Sequence, residues 1–160
     1  VERVRLADGT ESFRDIVDHP NSVVIVPMAD DGTLMMVRQF RKALGHELLE
    51  LPAGVIEEAE PPAVAALREL REEIGYSASK LSPLGSFFAA PGSMNEQLFA
   101  FLATGLTWDP LPADQDERIE VVRMPFSEVI GLARSGQIHD AKTLCALFLS
   151  EGNEDADLIP

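Results

Sequence analysis

Cysteine is nearly absent from this chain: Cys145 stands alone among 160 residues. An intrachain disulfide is thereby excluded, and a cytoplasmic location is the default expectation. Cys145 falls in the apolar run Leu144-Cys145-Ala146-Leu147-Phe148-Leu149 and is expected to be a buried, inert thiol. Long hydrophobic runs are missing as well, none approaching the ~20 residues a bilayer-spanning helix needs. No signal-peptide pattern opens the chain. It begins at Val1 rather than methionine, so native residues are expected ahead of it. Positive charge is scarce, with 13 Lys and Arg against 27 Asp and Glu and a net charge of -14. Such a chain repels a phosphate backbone, which argues against broad nucleic-acid binding. A small phosphorylated substrate remains compatible if metal ions bridge it to the carboxylates. Excess carboxylate also serves solubility, and both readings can hold. Neither an internal repeat nor a dividing linker is present. The length fits one domain over residues 1–150, followed by a polar, acidic tail over 151–160 that is expected to be mobile.

What is there reads as mixed strands and helices, hence an α/β class. Residues 1–6 and 11–17 form an expected hairpin about the Asp8-Gly9 turn. The run Val23-Val24-Ile25-Val26 predicts a buried strand within 22–29, and Asp30-Asp31-Gly32 turns it toward a partner over 34–41. A short extended piece over 47–51 is stopped by Pro52. Residues 61–74 follow a helical pattern, with Pro61 and Pro62 in the first turn and Gly75 as its stop. Later strands are expected over 84–89, 97–103 and 118–124, with a Pro- and Asp-rich loop over 105–117. Two closing helices are expected over 126–134 and 141–149.

The helix over 61–74 carries the chemistry. On a wheel of about 100° per residue, Glu72 and Glu73 fall within roughly 60° of Glu69 on either side. Leu67, Leu70, Ile74, Ala63 and Ala66 gather on a separate arc. Like charges three and four residues apart weaken an isolated helix, so folding alone does not ask for this arrangement. A divalent cation reverses the sign of that term, because hard cations such as Mg²⁺ prefer carboxylate and phosphate oxygens. Taken alone, the three glutamates read more simply as a solvated acidic face with Arg68 and Arg71 neutralising part of it.

The spacing around them decides between these readings. The segment runs Gly54, five residues, Glu60, seven residues, then Arg68-Glu69-Leu70-Arg71-Glu72-Glu73-Ile74-Gly75-Tyr76. It resembles the Nudix box, and every charged and glycine position of that signature is present. The one departure is Tyr76, where the family usually carries an aliphatic residue at a packing position. The resemblance implies an α/β/α sandwich with a mixed β-sheet, and hydrolysis of a pyrophosphate bond with Mg²⁺, or Mn²⁺ in its place. It implies Glu69, Glu73 and the backbone carbonyl of Ala53 as metal ligands, with Glu72 as ligand or water-positioning group. Gly54 would allow close approach to the metal, Arg68 would orient the glutamates, and Glu60 would be structural near the helix start.

Segments outside the box resemble the ADP-ribose pyrophosphatase subgroup. Pro91, within Ala90-Pro91-Gly92-Ser93-Met94-Asn95-Glu96, matches its proline marker, although a Pro-Gly turn is otherwise common. Val37-Arg38-Gln39-Phe40-Arg41, Glu50-Leu51-Pro52-Ala53-Gly54 and the stretch from Gly136 to Thr143 are also similar. The resemblance implies that Arg41 binds substrate phosphate, for which a fork of N–H donors is suited. It implies a loop glutamate as metal ligand or catalytic base: Glu117 matches best, Glu120 is the second candidate, and Gln115 stands where some relatives carry another acid. Glu96 would contact the ribose or a metal-bound water. His19, His46 and His139 form no ligand pattern.

The expected reaction is therefore Mg²⁺-dependent hydrolysis of ADP-ribose to AMP and ribose 5-phosphate. The alternatives are another nucleoside diphosphate sugar such as GDP-mannose, a dinucleoside polyphosphate, or a non-catalytic nucleotide-sensing module. Retention of all three box glutamates speaks against the last. The subgroup resemblance also implies a homodimer that uses the N-terminal strands and a small nucleotide sugar as substrate; the charge and the lack of a long apolar run lead to the expectation of neither nucleic acid nor membrane as a partner.

Overall fold

The computed structural model describes residues 1–112 and 118–152. The expected roles of Gln115 and Glu117, and the tail from residue 153, lie outside the described residues. In chain order the elements are β1 (Glu2–Arg5), β2 (Glu11–Arg14), β3 (Ser22–Pro27), β4 (Thr33–Arg41), β5 (His46–Glu50), β6 (Ala53–Val55), α1 (Pro62–Glu69), β7 (Tyr76–Phe88), β8 (Gln97–Trp108), β9 (Ile119–Pro125), α2 (Phe126–Arg134) and α3 (Ala141–Glu151). None of the described helices is long and apolar enough to cross a membrane.

β3 organises the rest. Every residue from Ser22 to Pro27 is buried, as a continuous apolar run demands when both faces of a strand are covered. It lies parallel to β8 on one side and antiparallel to β6 on the other, and β7 flanks β8, giving a mixed sheet in the order β6-β3-β8-β7. A second, antiparallel sheet runs β5-β4-β9. Successive side chains of β3 point to opposite faces. Val23 and Ile25 pack with Ala65, Ala66, Leu70 and Ile74, whereas Val24 and Val26 pack with Val129, Ile130, Ala146 and Leu147. Helices thus cover both faces, and the architecture is the expected α/β/α sandwich.

Strands β7 and β8 are longer than the sequence pattern indicates. The polar stretch Tyr76–Ser82 carries no apolar run, yet it pairs continuously with β8 from Tyr76 opposite Trp108 onward, with a register shift at Pro83 and Gly85. The residues Gly105–Trp108, which read as the start of a loop, are the end of β8 for the same reason. β6 has no sequence signal of its own; it exists because the free edge of β3 receives it.

The hairpin β1–β2 pairs with no other strand among the described residues. Its turn is closed by the Leu6 N–H on the Thr10 carbonyl at 2.8 Å, with the Asp8 side chain accepting from both the N–H and the hydroxyl of Thr10.

α1 begins as the prolines predict, with Pro61 extended and Pro62 in the first turn. It does not continue as a uniform α-helix to Ile74. Leu70–Ile74 forms a π-helical turn, ended by Gly75 at φ 77°, whose N–H donates to the Leu70 carbonyl. Such turns occur singly inside helices, frequently at functional sites. Here the turn keeps Leu70 and Ile74 in the core while Glu73 is also drawn inside, at 8% exposure. The three box carboxylates therefore straddle an α turn and a π turn, and the even 100° wheel holds only for the first half of the segment.

Candidate active site

The site is assembled where the box helix meets β6. Gly54 is central, for a steric reason. A Cβ built on it would fall 2.0 Å from the Glu69 carboxyl carbon, closer than any van der Waals contact. The strand backbone and the Glu69 carboxylate can occupy neighbouring space only because residue 54 has no side chain. One residue earlier, the Ala53 N–H donates to Glu73 Oε2 at 3.1 Å. Two box glutamates thus flank the Ala53–Gly54 backbone, and both are nearly dry, at 9% and 8% exposure.

Arg68 binds the assembly together. Its Nε donates to Glu60 Oε1 at 3.0 Å, and its Nη1 to Glu69 Oε1 at 2.7 Å and Glu72 Oε2 at 2.8 Å. Its Nη2 donates to the Val55 carbonyl at 2.9 Å and Glu60 Oε2 at 3.0 Å. Five donors are the whole complement of a guanidinium. Hydrogen bonding to Glu60 raises the Arg68 pKa above its ordinary value, and the same contact holds the Glu60 carboxyl below the usual glutamate value. Glu60 also accepts from the Glu57 N–H at 3.0 Å, tying the loop to the helix start. Glu72 is the most exposed of the three box carboxylates.

Gly75 closes the far end of the helix. A Cβ there would meet the Trp108 ring at 2.4 Å, and Trp108 in turn stacks edge-to-face on Tyr76, with centroids 5.3 Å apart. Tyr76, the one departure from the box pattern, thus fills a packing role. Arg71 donates to the Asp109 carbonyl at 3.0 Å and pairs with its carboxylate at 3.1 Å, fixing the helix to the segment after β8.

Two clefts open at β6. One, about 340 Å³, is lined by Glu57, Arg68, Glu69 and Glu72. The other, about 410 Å³, is lined by Phe87, Phe88, Leu98, Glu96, Lys142 and Cys145, among others. Arg41, Ala53, Gly54 and Val55 line both. Glu96 accepts from the Ser22 hydroxyl at 2.6 Å, and His19 joins the same wall. Cys145 is exposed in this cleft, contrary to the buried thiol its apolar run indicates. α3 buries the stripe Thr143, Ala146, Leu147 and Ser150, and that periodicity turns Cys145 and Phe148 outward.

Not every sequence-predicted residue reaches these clefts. Pro91 lines a separate hollow of about 420 Å³ with Arg14, Ile16 and Phe88, at the segment that holds Val17 through the Val17 N–H on the Ser93 carbonyl. Glu120 sits on β9 opposite Arg38, pairs with it at 3.5 Å, and is 70% exposed. It lines neither cleft beside β6.

A network that the sequence reading passes over stands behind Arg41. Arg41 donates through Nε and Nη2 to the two oxygens of Glu50, both at 2.7 Å. The Lys142 ammonium donates to the same carboxylate and to Asp140, at 2.9 Å for the latter. Asp140 caps α3 by accepting from the Thr143 N–H, and the Leu51 N–H donates to Thr143 Oγ1 at 2.9 Å. Burial pushes Glu50 upward, but hydrogen bonds and charge from Arg41 and Lys142 outweigh it and hold the carboxyl low. Both segments resemble the subgroup in sequence; what sequence does not reveal is that residues 92 positions apart meet.

The donor set around Gly54 is hard oxygen throughout, from Glu69, Glu72 and Glu73 beside the Ala53 backbone, and it fits a divalent cation. Among the described residues no three His, Cys, Asp or Glu side chains converge as a preformed cage; the Arg68 guanidinium bridges the carboxylates of Glu60, Glu69 and Glu72.

Comparison with known proteins identifies the family. The NUDIX domain model matches residues 18–147. The chain is 40% identical to the ADP-ribose pyrophosphatase of Bacillus subtilis (strain 168), over 92% of this chain and 80% of that one. It is 38% identical to the ADP-ribose pyrophosphatase of Mycobacterium tuberculosis, over 86% and 68% respectively. A crystal structure of an ADP compounds hydrolase superposes with a TM-score of 0.84 at 27% identity, over 93% of this chain and 81% of that one. Box, sandwich and relatives coincide, and the chain belongs to the Nudix family of hydrolases.

Proposed function

We propose that the protein hydrolyses the pyrophosphate bond of ADP-ribose to AMP and ribose 5-phosphate, with Mg²⁺ as its metal and Mn²⁺ as a substitute. The observation that carries this reading is the pair of clefts sharing Arg41 and the Ala53–Val55 backbone, one acidic and one apolar. A nucleoside diphosphate sugar has the matching layout: flat and apolar at the base, anionic in the middle. The names of the relatives at 40% and 38% identity support ADP-ribose as the particular substrate.

In this reading Glu69, Glu72, Glu73 and the Ala53 carbonyl hold the metal. When bound, the metal neutralises pyrophosphate charge, acidifies a water and stabilises the leaving phosphate. Arg41 takes a phosphate oxygen through the part of its guanidinium that Glu50 leaves unused. Phe87 and Phe88 cover the base, and Glu96, fixed on one oxygen by Ser22, accepts from a ribose hydroxyl. The proton acceptor is a carboxylate near the attacking water. Glu120 is paired with Arg38 away from both clefts, which favours Glu117 or Glu72 for that role. Pro91 belongs to the segment that positions residues 17–19 rather than to the metal side. The hairpin β1–β2, unpaired with the sheets among the described residues and carrying Phe13 at 65% exposure, supports a homodimer; light scattering that reports a monomer would overturn that part.

A substrate panel with Mg²⁺ tests the assignment. ADP-ribose is expected to give AMP fastest, with GDP-mannose and dinucleoside polyphosphates well behind. Fast turnover of one of those beside idle ADP-ribose sinks it, and binding without metal-dependent AMP release makes the protein a sensor instead.

A further inference from the structure

We propose that Glu50 is a positioning residue for substrate binding, which sets the Arg41 guanidinium edge-on to the cleft by holding Arg41 and Lys142 on one buried carboxylate. This inference rests on the reading of the shared clefts as a nucleoside diphosphate sugar site.

Glu50 ends β5, Arg41 ends β4, and Lys142 lies in the first turn of α3. Three separate elements therefore meet at one side chain, which is only 1% exposed. A carboxylate in that position is costly to desolvate and persists only when its oxygens are satisfied by cations in good geometry. Here each oxygen receives one N–H of Arg41, and the second oxygen also receives Lys142. The apolar packing nearby does not need this charge, since Leu51 is already held by Thr143 and the core.

The contrast between the two arginines shows what the charge accomplishes. Arg68 spends all five donors on Glu60, Glu69, Glu72 and Val55, leaving nothing for a ligand. Arg41 spends Nε and one N–H of Nη2 on Glu50, and its Nη1 makes no hydrogen bond among the described residues. The bidentate grip fixes the guanidinium plane, so the Nη1 edge has one direction left. Arg41 is 37% exposed and lines both clefts, so that edge is available where they join. Without Glu50, Lys142 keeps its pairing with Asp140, whereas Arg41 loses the two hydrogen bonds that fix its plane. Arg41 then keeps its charge but loses its direction, and preorganised geometry is what a phosphate clamp contributes. Glu50 touches no substrate; its effect passes through Arg41.

The test is a double-mutant cycle with ADP-ribose and Mg²⁺ on Glu50→Gln, Arg41→Ala and the double variant, each with a melting temperature. Glu50→Gln is expected to raise KM about tenfold or more while kcat stays within about threefold, a loss of binding rather than of chemistry. Adding Glu50→Gln to Arg41→Ala is expected to raise KM little further, because coupled residues are non-additive. Glu50→Asp keeps the charge and shortens the reach, and serves if the glutamine variant fails to fold; an intermediate rise in KM is expected. An unchanged KM in a folded Glu50→Gln or Glu50→Asp variant, or additive effects with Arg41→Ala, overturns the inference. Wild-type protein that turns over no nucleoside diphosphate sugar overturns the underlying functional reading, and the inference with it. If the wild type prefers GDP-mannose, the same cycle is read on that substrate.

Discussion

Glu69 and Gly54 occupy space that a single added methyl group would contest: a Cβ at residue 54 would lie 2.0 Å from the Glu69 carboxyl carbon and 2.0 Å from its Oε1. The glycine is required by close approach, since its φ lies outside the left-handed region. The atoms it would strike are the far end of a side chain, which can swing away.

Gly54→Ala should therefore fold while misplacing Glu69. A displacement near 1 Å in a catalytic group costs on the order of 10²-fold in rate, and a loss of about that size in kcat is expected. The melting temperature should fall by only a few degrees. Wild-type kcat in a folded variant would remove Glu69 from the metal-holding group.

Glu73→Gln separates charge from shape. The glutamine oxygen can still accept the Ala53 N–H that now reaches Glu73 at 3.1 Å, so β6 should stay docked. What is lost is one of the anionic oxygens proposed for the metal. A drop in kcat of about 10²–10⁴ is expected, the range that positioned acid–base and metal-supporting groups command. Titration with Mg²⁺ should show a higher metal requirement with the apo melting temperature unchanged. Near-wild-type activity at low Mg²⁺ would take Glu73 out of the metal site.

Why was so much of this visible in the residues themselves? Spacing carries information when chemistry fixes it: Gly54, Glu60, Arg68, Glu69, Glu73 and Gly75 are locked in register by one helix and one turn, so they read directly. β3 reads for a similar reason, being apolar on both faces. β6 does not, because three residues have no periodicity and the strand depends on the edge of β3. The polar start of β7 is strand only through pairing with β8. The π turn is invisible to a wheel that assumes even steps. The Glu50–Lys142 contact joins residues 92 apart, and no local pattern announces it. Cys145 misled in the other direction: an unbroken apolar run suggests burial, but an 11-residue helix hides only one stripe of itself.

Acid stability should report the Arg68 hub. Hydrogen bonding from Arg68 lowers the Glu60 pKa below the ordinary glutamate value of 4.5. A carboxyl whose folded pKa is depressed stabilises the fold at pH above its unfolded value, and that contribution is lost as pH falls through the folded value. Between pH 7 and 5 the wild type should thus hold a constant advantage over Glu60→Gln. From about 4.5 downward the two melting curves should converge. A gap that persists unchanged well below that point would mean Glu60 acts by packing rather than by its charge.

Cys145 offers the most direct probe of the apolar cleft. Its thiol is exposed and shares the cleft wall with Phe87, Phe88, Arg41 and Lys142. A maleimide adduct there adds bulk where the base is proposed to sit. Modification should lower kcat/KM for ADP-ribose about tenfold or more, equivalent to ~1.4 kcal/mol of lost transition-state binding. AMP present during labelling should slow the modification, since it would fill the same cleft. Cys145→Ser should keep normal activity and resist the reagent, which assigns any inhibition to this residue because the chain has no other cysteine. Full labelling, confirmed by intact mass, with unchanged kcat/KM would mean that the Phe87–Phe88 cleft is not the seat of the nucleoside.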